Sequence, residues 1–493
     1  MQHPRHVQTW LGSAMLTILT VASVGAAAAD EAPPNIVIMF VDDMGYGDAA
    51  VYGSSMNPMP NLARMAAEGL RCTDFYVAQP VCSASRAALL TGCYPNRIGI
   101  SGALGPNSTV GIADDELTLA ELCQSRGYAT AIFGKWHLGH RPRFLPTRHG
   151  FDEFEGIPYS NDMWPLHPHY VDMPREEALK KGAYPELPYF TNEAITNPNV
   201  TAADQAIMTR RFTERAVDFI DRHHDRPFFV YIPHPMPHVP LYTSDTFTGS
   251  TGRGVYADVM AEIDWSAGEI LDALARHGID ERTLFIFASD NGPWLSYGNH
   301  SGVTGPLREG KGTTFEGGVR VPCIMRWPQR IAPGIETSTP MMTIDILPTI
   351  AALIDAELPD HTIDGKDVGA VLFEDPRSPS PHDAYYFYYH RNDLEAMRAG
   401  RWKLHFPHGF RSMDGRTPGD DGKPGPYDYG RRTELELYDL QADVGETKNV
   451  AADHPAVVAR LVQLADTMRA DLGDNLTEAT PTGARAPGRV EAP

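Results

Sequence analysis

A chain of 493 residues exceeds one small core and suits either one large α/β domain with an appended piece or two domains. Composition is ordinary globular, 42% hydrophobic and 21% charged, with 44 Gly and 41 Pro pointing to many loops. The formal net charge of −21, from 42 Lys+Arg against 63 Asp+Glu, excludes non-specific nucleic-acid binding and requires any anion site to be a focused cluster of positive charge.

Arg5, the apolar stretch Trp10 to Gly25 and the small residues Ala27-Ala28-Ala29 read as a signal peptide over 1–29. An uncleaved anchor is the alternative; the many Ala, Ser, Thr and Gly residues and the small-residue end favour cleavage. No later stretch is apolar enough to cross a membrane, so the expectation is an exported protein, periplasmic or secreted, without stable membrane insertion.

Asn35 to Val41 (NIVIMFV) is a continuous apolar run, as in a central strand buried on both faces. Tyr128 to Phe133, Phe228 to Ile232 and Thr283 to Ala288 repeat the pattern. Helical periodicity marks Met59 to Glu68, Ser85 to Leu90, Leu117 to Arg126, Ala203 to His223 and Ala257 to His277. Strands alternating with helices predict an α/β fold, a large, mostly parallel sheet sandwiched by helices. From about Asp364 the character changes. Tyr385 to His390, Arg401 to Phe406 and Glu434 to Leu440 read as short antiparallel strands, and Ala456 to Leu472, opened by Pro455, as an amphipathic helix. Pro407 to Gly430 reads as a long loop. The expected division is a catalytic domain over 30–363, an α+β C-terminal subdomain over 364–476 and a disordered tail over 477–493.

Each predicted parallel strand ends in chemistry. Asp42-Asp43 follows the first, Gly134-Lys135-Trp136-His137 the second, His234 to His238 the third, and Asp290-Asn291-Gly292 the fourth. Functional groups gather at the carboxyl ends of such strands. Asp42, Asp43, Asp290 and Asn291 offer hard oxygen ligands of the kind calcium prefers. The five cysteines (Cys72, Cys82, Cys93, Cys123, Cys323) fit no zinc spacing. If chemistry consumes one, the other four allow two, one or no disulfides. Sequons at Asn107, Asn199, Asn299 and Asn475 matter only in a glycosylating host.

Cys82-Ser83-Ala84-Ser85-Arg86, running on to Leu90-Thr91-Gly92, resembles the type I sulfatase motif, with Ala84 where Pro is commoner. Asn35 to Gly47, Gly134 to Gly139 (GKWHLG), Gly150 to Asp162, Lys311 to Pro322 and Leu437 to Asn449 resemble further stretches of arylsulfatases, in the expected order from Pro34 to Asn449. The resemblance implies the alkaline phosphatase superfamily fold and a formylglycine made from Cys82 by a formylglycine-generating or maturase enzyme. It implies calcium on Asp42, Asp43, Asp290, Asn291 and the modified Cys82. Arg86 would anchor the modified side chain, His137 assist its chemistry, and Lys135 and Lys311 bind sulfate oxygens. His238, ahead of Val239-Pro240, would be the acid, with His234 the runner-up.

A sulfate ester shields sulfur behind three oxygens that share a negative charge. Its cleavage needs cations on those oxygens, an activated nucleophile and an acid for the leaving alcohol. The activity that the resemblance implies is hydrolysis of a sulfate ester, on a sulfated carbohydrate, to alcohol and inorganic sulfate. Two alternatives stand beside it: a phosphonate monoester or phosphate diester hydrolase using the same nucleophile, and a catalytically silent glycan-binding relative. Loops Tyr159 to Tyr189, Trp294 to Arg308 and Pro407 to Gly430 are expected to select the sugar. Trp164 is a candidate to stack on a ring, and His167, His169, His300 and Arg308 to contact hydroxyls or charges.

Overall fold

The alternation of side chains along one strand organises the molecule. In the computed structural model, β1 (Asn35–Val41) is buried along its whole length. Ile36, Ile38 and Phe40 enter one apolar core, and Val37, Met39 and Val41 enter another on the opposite face. The structure describes residues 33–491 and a few isolated positions before residue 10. The leader read over 1–29 lies otherwise outside the described residues.

Nine further strands complete the large sheet: β2 (Leu70–Cys72), β3 (Ala129–Lys135), β4 (Glu153–Ile157), β5 (Tyr189–Thr191), β6 (Ala194–Asn197), β7 (Phe228–Ile232), β8 (Thr283–Ser289), β9 (Cys323–Arg326) and β10 (Ile335–Thr337). Their spatial order is β10-β2-β9-β8-β1-β7-β3-β4-β5-β6. The central neighbours β8, β1, β7, β3 and β4 pair in parallel, while β9 and β5 run antiparallel beside them. The sheet is thus mixed and mostly parallel at its centre. Helices cover both faces. Residues of α2 (Cys82–Thr91), α3 (Leu119–Ser125) and α6 (Ile346–Leu353) join the core of Ile38, and those of α1 (Pro60–Ala67), α4 (Met208–His223) and α5 (Val255–Arg276) join the core of Met39.

The second sheet holds β11 (Tyr385–Tyr389), β12 (Asp393–Ala399), β13 (Trp402–His405) and, after β14 (His408–Ser412) and β15 (Asp428–Thr433), β16 (Glu436–Asp439). Its order is β11-β12-β13-β16, antiparallel throughout, and α7 (Pro455–Leu472) packs on it through Leu461, Ala465 and Leu472. No helix among the described residues is long and apolar enough to cross a membrane.

Two expectations change, and one left open is settled. The loop Pro407 to Gly430 begins and ends in the paired strands β14 and β15. The tail read as disordered is docked: Arg485 pairs with the buried Glu116 at 2.6 Å, and Gly488–Arg489 pairs antiparallel with Val110–Gly111. Its polar composition hid one buried ion pair and one strand ladder. All five cysteines are buried free thiols, with Cys72 opposite Cys323 across β2 and β9.

Candidate active site

Because β1 and β8 are parallel neighbours, with Val41 opposite Ser289, the residues that follow them arrive side by side. Asp290 Oδ1 accepts the backbone N–H of Asp43 at 3.1 Å, and Asn291 Nδ2 donates to Asp43 Oδ1 at 2.6 Å. Asp43 holds a left-handed φ of 65°, costly for a non-glycine residue and typical of functional corners. Gly292 is required by close approach, since a Cβ there would sit 1.8 Å from Gly317 O. That contact seats the Asp-Asn-Gly turn against the loop that carries Lys311.

Cys82 is the first residue of α2, not a position ahead of it as the run from Ser85 predicts. Its Sγ lies 3.3 Å from Asp42 Oδ1 and 3.3 Å from Lys311 Nζ. One turn on, on the same helix face, Arg86 reaches Asp290 Oδ2 at 2.8 Å, Asp42 Oδ2 at 3.2 Å and Lys135 O at 3.3 Å. Lys135, the last residue of β3, is fully buried and donates to Asp42 Oδ2 and, at 3.1 Å, to Ser160 Oγ. Lys311 Nζ donates to Asp43 Oδ1 at 2.6 Å and lies 4.8 Å from the centre of the Trp294 ring. His137, at φ 63°, contacts Leu104 O through Nε2 at 3.0 Å, which leaves Nδ1 as an unpartnered acceptor.

The two candidate histidines part company. His238 Nε2 lies 3.6 Å from Asp43 Oδ2, while its Nδ1 meets Val239 O at 2.6 Å. His234 turns the other way, contacting Ser266 Oγ of α5 at 2.9 Å and packing near Phe212. It lies outside the cavity, and burial drives its pKa down to about 3.

Positive and negative groups hold one another in charge. Burial alone would raise the Asp42 carboxyl, but Lys135, then His238, Arg86 and Lys311, hold it well below the usual range. Burial would likewise lower Lys311, yet Asp43, Cys82, Asp42 and Asp290 raise it well above a free lysine. Lys135 is raised against burial mainly by Asp42. Asp290 is pushed up to about 6, first by burial and then by Asp42, which marks a site rich in negative charge. Burial, then Lys135 and Arg86, keep His137 neutral. Burial followed by Asp42 also raises the Cys82 thiol well above its ordinary value, so it is held as a protonated thiol, a poor nucleophile. Asp43 Oδ2 and Asn291 Oδ1 are buried oxygens without hydrogen-bond partners, and one ligand atom each from Asp42, Asp43, Cys82 and His238 fall within 4.8 Å of one another. Two orphan oxygens beside two further carboxylates suit a hard cation.

Above these groups opens a cavity of about 720 Å³, bordered by Cys82, His137, His238 and Lys311, with Lys135 one layer beneath. His167 and His169 line it as expected. Trp164 does not: it is buried and packs edge-on to Tyr242. His300 and Arg308 also lie outside, Arg308 stacked 3.9 Å over Phe315 and bonded to Tyr438 and to Glu446 O. Ser160, Asp162, Trp294, Tyr297 and Arg411 also border the cavity, all within the three loops expected to select the sugar though not singled out there. Ser160 and Asp162 stand inside both the arylsulfatase-like stretch Gly150 to Asp162 and the loop Tyr159 to Tyr189. Arg411, which donates to Lys311 O at 3.0 Å through Nε, had only its place in the loop Pro407 to Gly430 to mark it.

The model of the sulfatase family matches residues 34–356, and that of the C-terminal region of aryl-sulfatase matches residues 380–484. The chain belongs to the sulfatase family. It is a type I sulfatase of the alkaline phosphatase superfamily and a sulfuric ester hydrolase. Arylsulfatase A of Bos taurus is 39% identical, with 89% of this chain and 87% of that one covered. N-acetylgalactosamine-6-sulfatase of Canis lupus familiaris is 39% identical over 84% of this chain and 79% of that one. Among solved structures, the PsFucS1 sulfatase from Pseudoalteromonas sp. superposes with a TM-score of 0.79 at 29% identity, covering 88% of this sulfatase and 90% of that chain. Ps i-CgsB, solved in complex with k-i-k-neocarrahexaose, gives 0.73 at 27% identity, covering 88% and 92%.

Proposed function

We propose that this sulfatase hydrolyses sulfate esters of a carbohydrate at the cavity above Cys82, with that cysteine converted to formylglycine. The observation that carries the reading is the setting of Cys82: a buried, protonated thiol in the first turn of α2, touched by Lys311 and Asp42 and backed by Arg86. A thiol so held is badly suited to attack, whereas an oxygen nucleophile at the same point would be well placed. Formylglycine supplies such oxygens, since its hydrated aldehyde carries two hydroxyls, one to attack sulfur and one to let sulfate leave. A formylglycine-generating or maturase enzyme would be the partner that installs it.

A calcium ion fits the oxygens of Asp42, Asp43, Asp290 and Asn291, together with position 82, and would supply positive charge against the ester oxygens. Lys311 borders the cavity and binds a sulfate oxygen; Lys135, deeper, holds Asp42 charged and adds to the positive field. Arg86 anchors position 82 from beneath by tying Asp42 to Asp290. His137, which borders the same cavity as Cys82, keeps Nδ1 without a protein partner and serves as a proton acceptor. His238, its Nδ1–H spent on Val239 O, keeps Nε2 for the proton that the leaving oxygen takes.

The carbohydrate reading draws on a relative named N-acetylgalactosamine-6-sulfatase and on a neighbour solved with an oligosaccharide. The cavity is also large enough to enclose sugar units, and aromatic walls such as Trp294 and Tyr427 border it. Export is proposed from the leader at 1–29. The test compares kcat/KM of matured enzyme on a panel of sulfated mono- and oligosaccharides, an aryl sulfate, a phosphonate monoester and a phosphate diester. Sulfated sugars should be cleaved, and at least about a hundredfold faster than either phosphorus ester. A preference for the phosphorus esters would reverse the assignment.

A further inference from the structure

One wall of the cavity carries a donor and an acceptor that do not satisfy each other. His167 Nδ1 accepts the backbone N–H of His169 at 3.2 Å, so the neutral ring carries its proton on Nε2. Burial lowers the His167 pKa, with Asp162 opposing, and the ring stays neutral at ordinary pH. Its Nε2 lies 3.9 Å from Asp162 Oδ2, beyond direct hydrogen-bond reach. Asp162 is 6% exposed, and its Oδ1 has no partner among the described residues. Both side chains border the cavity that holds Cys82, His238 and Lys311.

A carboxylate this buried is costly unless something donates to it. An oxygen about 2 Å to the side of the line from Nε2 to Oδ2 would stand at roughly 2.8 Å from each. That oxygen must accept from one side and donate to the other. A hydroxyl does both; an ammonium cannot accept, and a carboxylate or sulfate cannot donate. The neighbouring Asn161 donates to Pro240 O at 3.3 Å and to Gln205 Oε1 at 3.2 Å, which ties this wall to the loop of His238.

We propose that Asp162 and His167 form a subsite for one free hydroxyl of the sulfated substrate, which donates to Asp162 and accepts from His167 Nε2–H. The proposal rests on the carbohydrate reading, because a sugar brings free hydroxyls beside its ester and a simple aryl sulfate brings none. Asp162 and His167 are then specificity-determining residues, distinct from the groups that meet the ester itself.

The experiment measures kcat/KM for wild type, Asp162→Ala and His167→Phe on an aryl sulfate, on a sulfated monosaccharide from the panel and on its monodeoxy derivatives. A hydrogen bond to a charged group is worth about ten- to a hundredfold. Wild type should lose that factor on one deoxy sugar, and Asp162→Ala should lose it on the intact sugar. The two losses should not multiply, and the aryl sulfate should change by less than about threefold, which also reports that the variant folds. Equal loss of Asp162→Ala on aryl and sugar esters, or losses that multiply for every deoxy derivative, would overturn the subsite. His167→Phe supplies the same comparison if Asp162→Ala does not fold. A wild-type enzyme that cleaves the aryl sulfate and no sulfated sugar removes the carbohydrate reading, and the subsite with it, before any variant is made.

Discussion

His234 and His238 stand four residues apart on one loop, yet one faces the core and the other the cavity. His238→Ala should slow esters of poor leaving groups by about 10²–10⁴-fold and activated aryl sulfates far less, because a good leaving group departs without a proton. His234→Ala should show no leaving-group dependence; it should cost roughly 1–3 kcal/mol of stability in urea titrations, through the lost contact to Ser266 and the space left behind. Leaving-group dependence in the His234 variant, with His238→Ala near wild type, would reverse the roles. The resemblance ranked His238 first, on the Val239-Pro240 that follows it, and left His234 as runner-up. What separates them is the direction each side chain takes, which depends on α5 and on Asp43, distant in sequence. Asp42, Asp43, Asp290 and Asn291 were legible as neighbours for a simpler reason: each pair closes an apolar run read as a central strand. Trp164, His300 and Arg308 were misread because loop aromatics and cations pack as readily as they bind, and Arg308 spends its guanidinium on Phe315.

Among the elements, β1 and β7 match their sequence reading to the residue, since strands buried on both faces leave an unbroken apolar run. The strand β12 was missed because its sequence, DLEAMRA, carries Glu395 and Arg398, both buried. Arg398 is paired with Asp74. Glu395 has Thr314 Oγ at 3.0 Å and His408 Nε2 at 3.5 Å, and burial pushes its carboxyl up to about 8 against the Thr314 hydrogen bond. His408 Nδ1 contacts Phe406 O at 2.7 Å, so a protonated Glu395 has the free Nε2 to face. The folded protein therefore keeps a proton on Glu395 that the unfolded chain releases above about 4.5. Its stabilising contribution is complete below that pH and is lost as pH rises through about 8, at a slope of at most about 1.4 kcal/mol per pH unit. Glu395→Gln should lack this component, so its stability relative to wild type should rise between pH 5 and 8 in denaturant titrations. A pH-independent difference would show that Glu395 is ionised in the fold.

At the scale of the whole molecule, residues 33–491 belong to one compact unit that the docked tail helps to close. Arg485 sends Nε and Nη2 to the two oxygens of Glu116, itself 2% exposed, and Nη1 to Thr362 O. Arg485→Ala should cost about 1–3 kcal/mol, because it leaves a buried carboxylate short of partners, and Glu116→Gln should recover part of that loss in the double variant. Additive losses would mean that the pair contributes nothing. The same logic of buried charge held by partners governs the catalytic end of the sheet, where one cysteine sits among Lys311, Asp42 and Arg86. The most direct test is the mass of the peptide containing Cys82, taken from enzyme actively cleaving a sulfate ester. The account predicts an aldehyde in place of the thiol, in a fraction that tracks specific activity across preparations, and no turnover from Cys82→Ala. Full activity in a preparation whose Cys82 is entirely unmodified would contradict it.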